Sequence, residues 1–462
     1  MIVRTPAGDL PIDTSKPPPP GWRASPATAS KIGEPATVTS RASLTSRAAM
    51  FQALAIPDFR LLWIANLIAS FAMQMQMVAR GWLIYDITAS PLALTWVVLS
   101  FMLPSLVFSL WGGVIADRVR KKPIMVGAQF INALATVGLA VIVYRGDVTF
   151  WHFIYFGLFN GTVMSFSMPA RAAVVPELVP RETMVNAMAL QSATYSMARV
   201  AGPALAGWLI AWFAGGDNTS AAGVGIVLFV IAGMYLVSVV ATAMLDYQGT
   251  PSQRTGTKAL EDIAEGFRYM RRERLVLGLL IMGIVPMMFG FAPSFLAPVF
   301  NKEILDGDPQ SLGYLMTAMG IGSLAGSLAL ARLGDIGGKG RVMFAGCYLW
   351  ALGLVGFALS PTLMIAAGFG IVTGVFGSLV GSLNMSVVTL AIAPEVRGRV
   401  MSIMMMSFGV MPLGMIPVAG AAEVIGIAPA LLGSALLLAV SMAALGVWFP
   451  ELRRIDKGHG GG

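Results

Sequence analysis

Long apolar runs separated by short clusters of charge set the pattern of the chain. No charged side chain falls from Ile87 to Ala116, from Pro123 to Tyr144, from Val148 to Ala170 or from Asn218 to Leu245, gaps of 30, 22, 23 and 28 residues. About 20 apolar residues suffice to cross a bilayer as a helix. The pattern predicts twelve such helices, at about 60–86, 91–116, 123–144, 149–171, 184–213, 222–245, 275–300, 310–332, 342–359, 362–390, 400–422 and 427–449. The ninth and tenth share one 53-residue uncharged stretch, Val342 to Pro394, divided at Ser360-Pro361 because proline favours a turn there. A membrane barrel would show alternating segments of about ten residues, far shorter than these runs. The predicted fold class is therefore an all-α membrane protein.

Composition agrees: 56% of the 462 residues are apolar and 12% charged, with a mean hydropathy of +0.76. A soluble domain carries about a quarter charged residues. The net charge of +8 is distributed unevenly. Between the predicted spans, 27 Lys and Arg fall on one side, only Arg145 and Lys302 on the other, and Arg80 and Arg199 within spans. By the positive-inside bias both termini face the cytoplasm of a multi-pass inner-membrane protein. A basic face against anionic headgroups accounts for the charge without nucleic acid.

The spans divide into an N-terminal six-helix bundle, 51–245, and a C-terminal one, 275–450. Residues 1–50, with four prolines at 17–20 and no apolar core, read as a disordered cytoplasmic tail rather than a signal peptide; a start at Met50 is the alternative. In the 246–274 connection Leu260, Ile263, Ala264, Phe267 and Met270 recur at helical spacing, which predicts a surface-lying helix between the halves. Residues 451–462 form a second cytoplasmic tail. Cys347 stands alone, so no intramolecular disulfide is available, and His152 and His459 are too few and too distant for a metal site. No Ser, His and carboxylate cluster suggests hydrolysis, and no nucleotide-binding loop suggests ATP. An enzyme is disfavoured and no cofactor is implied.

Shifting the sequence on itself by 218 residues superposes Pro91 on Pro309, Asp117 on Asp335, Lys121 on Lys339, Pro176 on Pro394, Glu177 on Glu395, Arg181 on Arg399 and Gly202 on Gly420. Most of these sit at equivalent helix ends, which reads as a duplicated six-helix unit. Parallel repeats of this kind occur in secondary transporters whose site lies between the halves near mid-membrane.

GGVIADRVRKK at 112–122 resembles the loop between the second and third helices of the major facilitator superfamily. Gly113, Asp117, Arg118, Lys121 and Lys122 match it, and Arg120 stands where glycine is usual. In the second copy Asp335 and Lys339 remain, while Ala331 and Ile336 replace the first glycine and the arginine. The first span and GFRYMRR before the seventh are similar to the drug and siderophore exporter branch, which includes the enterobactin exporter and macrolide efflux proteins. The resemblance implies two pseudo-symmetric six-helix bundles. It also implies a charge network in which Asp117 closes the inner side, with Arg118 as local and Arg171 as more distant partner, and with Asp335 and either Arg397 or Arg399 as counterparts. A carboxylate at a helix C-terminus does need cationic partners; fixing topology is the plainer role for the same charges. ARVAGPALAG resembles the fifth-helix motif of drug antiporters through Gly202, Pro203 and Gly207, but departs from it at Gln191, Ala198 and Ala206.

Two cations interrupt the apolar runs. At about 100° per residue Asn66, Ser70, Met73, Met77, Arg80 and Ile84 share one helix face, with Gln76 at its edge. A charge inside the bilayer faces water or a partner, so this face is expected to line a path; snorkelling of Arg80 to the outer headgroups is the alternative. Arg199 lies near the centre of the fifth span, within a broad face holding Gln191, Tyr195 and Gly202. The carboxylates Asp86, Asp117, Asp335 and Glu423 lie at span ends, leaving none at mid-membrane. Two arginines without a matching acid suit an anionic or carbonyl-rich ligand held alongside Asn160 and Asn384. Thirty methionines supply soft walls, mostly for packing. The expected function is export of a small organic amphiphile by a monomer in the bilayer. Protons are the candidate coupling ion, through Asp86, Glu423 or the substrate itself. An importer, a lysolipid flippase and a non-transporting receptor or scaffold are the rivals.

Overall fold

Proline and glycine punctuate the apolar runs into helices whose ends follow the charge clusters. The computed structural model describes residues 52–215, 221–247, 273–333, 337–392 and 411–455, with Arg268; the side chains of 105–106, 109–118, 172, 333, 411–412 and 454 lie outside that description. The expected tail at 1–50, most of the 246–274 helix, Asp335, Arg397 and Arg399 also fall outside it.

Six helices build the first half: α1 (Pro57–Thr88), α2 (Pro91–Arg118), α3 (Lys121–Tyr144), α4 (Phe150–Leu178), α5 (Met184–Phe213) and α6 (Ala221–Ala243). The second half comprises α7 (Arg274–Gly290), α8 (Ala292–Glu303), α9 (Pro309–Leu333), α10 (Lys339–Ala358), α11 (Leu363–Ala391), α12 (Met411–Ile425) and α13 (Ile427–Trp448). Pro57 occupies the first turn of α1, where a missing N–H costs nothing, and Ala89 ends that helix in the left-handed region at φ 48°. The division at Ser360-Pro361 holds, since α10 ends at Ala358 and α11 starts at Leu363.

The seventh span corrects the expectation of one continuous helix. It breaks at Phe291, because Pro293 has no N–H to continue the ladder and Ser294 N–H turns back to Phe291 O at 3.0 Å. By length and composition eight described spans are apolar enough to cross a membrane: α1, α3, α6, α7 with α8, α9, α10, α11 and α13. Shorter apolar stretches lie in α2 (Pro91–Pro104) and α12 (Leu413–Ile425). The 29-residue α4 and 30-residue α5 are long enough but more polar, carrying Asn160, Ser165, Ser167 and Arg171, and Gln191, Thr194 and Arg199.

The sequence repeat reappears as a packing repeat. Helix α2 packs on α4 as α9 packs on α11, and α3 on α6 as α10 on α13. The stretches 320–327 and 374–382 meet in the second of these pairs, where Cβ atoms added at Gly322 and Gly326 would strike the carbonyls of Ile371 and Val375. The halves touch mainly through α5 against α9 and α2 against α12.

One end of the bundle carries Arg60, Arg120, Lys121, Lys122, Arg181 and Arg341 and is called here the basic face. At the opposite face a single apolar cluster runs through both halves, from Val78, Trp82 and Ile84 to Phe300, Val418 and Ala422. At the basic face each half has its own: Phe59, Met125, Val175 and Leu190 in the first, Leu279, Phe344, Leu383 and Leu445 in the second. Among the described residues the halves thus share a core at one end only.

Candidate functional site: a cavity between the halves

Between the halves, on the basic side of the shared core, lies a cavity of about 1050 Å³. Residues of α1, α2, α4, α5 and α6 form one wall and residues of α7 to α11 the other, with Thr389 and Leu390 in the last turn of α11 extending it towards the basic face. Among the described residues its lining includes eight methionines, two arginines (Arg80 and Arg199) and no Asp or Glu. The chemistry offered is a fixed positive charge in an apolar, polarizable container, where attraction is less screened than in water.

Six of the side chains expected in the cavity line it: Gln76, Arg80, Asn160, Tyr195, Arg199 and Asn384. Arg80 projects from α1 with Met73 and Met77, its guanidinium 5.3 Å from the centre of the Phe156 ring of α4. This cation–π contact compensates part of its desolvation. Its Nε is buried without a partner among the described residues, leaving a donor unused. Arg199 sits where α5 meets α9: a Cβ at Gly320 would lie 2.7 Å from the Arg199 carbonyl. Pro203, one turn on, also lines the cavity, whereas Gly202 faces α1, where its close approach to Gln74 leaves no room for a side chain.

Asn66 and Gln191 differ from the expectation and do not line the cavity. They lie towards the basic face and meet each other at 3.5 Å, and Asn66 also accepts a hydrogen bond from Arg171. The polar capacity of these two amides is used in joining α1, α4 and α5. Arg171 also faces Gln129 of α3.

Several polar groups were not singled out from the sequence. Tyr235 OH donates to Gln76 Oε1 and Gln76 Nε2 to Thr136 Oγ1, both at 3.3 Å, while Asn160 donates to Asn132. Lone Asn, Thr and Tyr residues in apolar runs carry no periodic signal, and only the fold shows that they converge behind the arginine wall.

In the loop motif, Gly113, Asp117 and Arg118 fall in the last turns of α2, where side chains lie outside the described set. Arg120 is exposed just before α3. Lys121, 3% exposed, forms an ion pair with Glu177 at the end of α4, and Lys122 donates to the Leu245 carbonyl. In the second half Lys339 begins α10 and is likewise buried.

At the opposite face, among the described residues, three polar links bridge the halves. Lys302 of α8 pairs with Asp86 of α1, Glu303 accepts a hydrogen bond from Tyr85, and Glu423 of α12 accepts from Ser90 Oγ at 2.9 Å and Leu92 N–H at 3.1 Å. Lys302 also lies 5.2 Å from the ring centre of Trp82. Lys302 thus has a specific partner beyond its place in the charge count.

Two six-helix halves around a central cavity define a transporter of the major facilitator type. The chain belongs to the transmembrane secretion effector family, whose family model matches residues 48–458. It is 26% identical over 407 residues to the multidrug efflux pump Tap of Mycolicibacterium fortuitum, covering 86% of this chain and 96% of that protein. Similarity to macrolide efflux protein A of Streptococcus pyogenes is 25% over 401 residues, covering 85% and 95%. The enterobactin exporter EntS of Shigella boydii is 26% identical over 249 residues, covering 53% and 56%. Among solved structures, a bacterial homolog of the human lysosomal transporter spinster superposes with a TM-score of 0.68 at 13% identity, over 87% of this chain and 99% of that one. The family is one of membrane transporters rather than enzymes.

Proposed function

We propose that the protein is a secondary active exporter of small acidic or carbonyl-rich amphiphiles from the bacterial cytoplasm, working by alternating access. The observation that carries this reading is the cavity itself, large, methionine-lined and holding Arg80 and Arg199 without a carboxylate among the described residues. A cation with no built-in counter-ion suits a ligand that brings one. Relatives concerned with multidrug and macrolide efflux and with enterobactin export support an organic cargo.

With the basic face in the cytoplasm, the shared core and the Asp86–Lys302, Tyr85–Glu303 and Ser90–Glu423 links close the outer side. The arrangement is then the loading state, open inward. Turnover breaks those links and brings the basic ends of the halves together, with Asp117 and its loop as the inner closure. Because these charges must part on every cycle, each link should be modest, as partly solvated ion pairs are. Proton coupling fits Asp86, Glu303 and Glu423, which sit in the outer links.

The test is uptake into inside-out vesicles, with and without a pH gradient, of matched acidic, neutral and cationic amphiphiles. Wild-type protein should accumulate the acidic probe, and Arg199→Gln should lower its uptake about tenfold or more while changing the neutral probe less than threefold, the scale of one charged hydrogen bond lost. Equal loss for both would remove the arginine from recognition.

A further inference from the structure

Opposite the arginines, the second half holds two buried polar atoms that nothing in the described residues satisfies: Trp350 Nε1 of α10 and Asn384 Oδ1 of α11. Both side chains are only 2% exposed. Both line the main cavity and also a small recess off it, walled by Met282, Pro286 and Met287 of α7 and by Gly377 and Gly381 of α11. Buried donors and acceptors are nearly always paired, so two left open on one recess need a common explanation.

The surroundings hold the indole in place. Added Cβ atoms at Gly290 and Gly377 would collide with its six-membered ring, so α7 and α11 press their backbones against it, and Phe291 meets it edge-on at 5.3 Å and 87°. Phe291 is the residue where the seventh span breaks, so the break itself supplies one wall of the indole site. Gly377, Gly381 and Asn384 follow at spacings of four and three residues, one stripe of α11 that brings the amide beside the recess.

We infer that Trp350 and Asn384 form a specificity subsite for a hydroxyl group on the substrate. The Nε1–H of Trp350 donates to the hydroxyl oxygen, and the hydroxyl proton is donated to Asn384 Oδ1. The recess has room for about one water-sized group. A hydroxyl fits it and is both donor and acceptor; a carboxylate is larger and has no proton for the amide oxygen. The two walls of the cavity then read different parts of one molecule: the arginine wall an anionic head, the α10–α11 wall a hydroxyl on its apolar body. A site built to hydrogen-bond a hydroxyl rejects the analogue lacking it, because its own buried groups are then left unpaired. This subsite rests on the acidic-amphiphile reading, and its test separates the two.

The test is equilibrium binding of radiolabelled 12-hydroxydodecanoate and of dodecanoate to the purified full chain in maltoside micelles. These flexible acids share the head group and chain length and differ in one hydroxyl. Wild-type protein should prefer the hydroxy acid by about fivefold or more, the low end for two neutral hydrogen bonds. Trp350→Phe, which keeps an aromatic body, and Asn384→Leu should each bring that preference to within twofold, with a monodisperse elution peak like that of the wild type as the control for folding. Arg199→Gln should weaken both acids together and leave the preference intact. No preference in the wild type, or a preference that survives both Trp350→Phe and Asn384→Leu, overturns the subsite while the acidic reading stands. Failure of the wild type to bind either acid removes both.

Discussion

The positively charged side chains within the helices meet three different environments. Arg80 lies over Phe156 at the cavity wall, Arg171 is bonded to Asn66, and Lys121 is paired with Glu177. In the last pair the lysine is nearly fully buried, so removing its partner strands a charge. Glu177→Ala is expected to cost about 2 kcal/mol, less than a fully buried pair because the glutamate keeps 31% exposure. Lys121→Met should cost less, since it removes the charge that needs a partner. Thermal unfolding in detergent reads both, and a larger loss for Lys121→Met would contradict the burial argument. Arg80 and Arg199 were legible from the sequence because a cation inside an apolar run has few ways to exist. Helix phase alone points Asn66 and Gln191 to the cavity, and phase does not tell a polar residue facing a cavity from one facing a neighbouring helix. Trp350 gave no signal, because its meaning depends on Gly290, Gly377 and Asn384 arriving from other helices.

At the scale of elements, charge gaps marked the spans well, since a bilayer excludes charge from every crossing segment in the same way. The break at Phe291 escaped that logic, as an apolar run stays apolar whether or not its backbone is continuous. Pro293 was the available sign, and it brings Phe291, Ser294 and Pro298 to the cavity. Pro293→Ala restores a backbone donor and is expected to lower transport at least severalfold while leaving the protein folded, because the bend that shapes the wall is weakened. Thermal unfolding and vesicle uptake on the same variant check this; unchanged transport would detach the break from function. The α5–α9 contact is equally specific. A Cβ at Gly313 would lie 2.7 Å from the Pro203 carbonyl, so Gly313→Val should wedge the halves apart at the face opposite the basic one. Its expected signature is normal membrane insertion with transport abolished, and wild-type transport would show that the contact tolerates spreading.

For the whole molecule, the duplication seen at a shift of 218 residues explains why matched helix pairs pack alike in each half. The asymmetry between the faces was not legible: a repeat specifies two similar bundles but not which end of their interface is closed. That choice rests on side chains that meet only across the halves, such as Asp86 with Lys302 and Ser90 with Glu423. Weakening them with Lys302→Gln and Glu423→Gln should favour the opposite arrangement. Two label pairs report it by double electron–electron resonance: Asp147 with Leu359 at the opposite face and Arg181 with Glu451 at the basic face, all exposed, in a background with the buried Cys347 replaced. Alternating access predicts reciprocal change on breaking the links, the first distance lengthening as the second shortens. Both distances staying fixed, or both lengthening together, would contradict it.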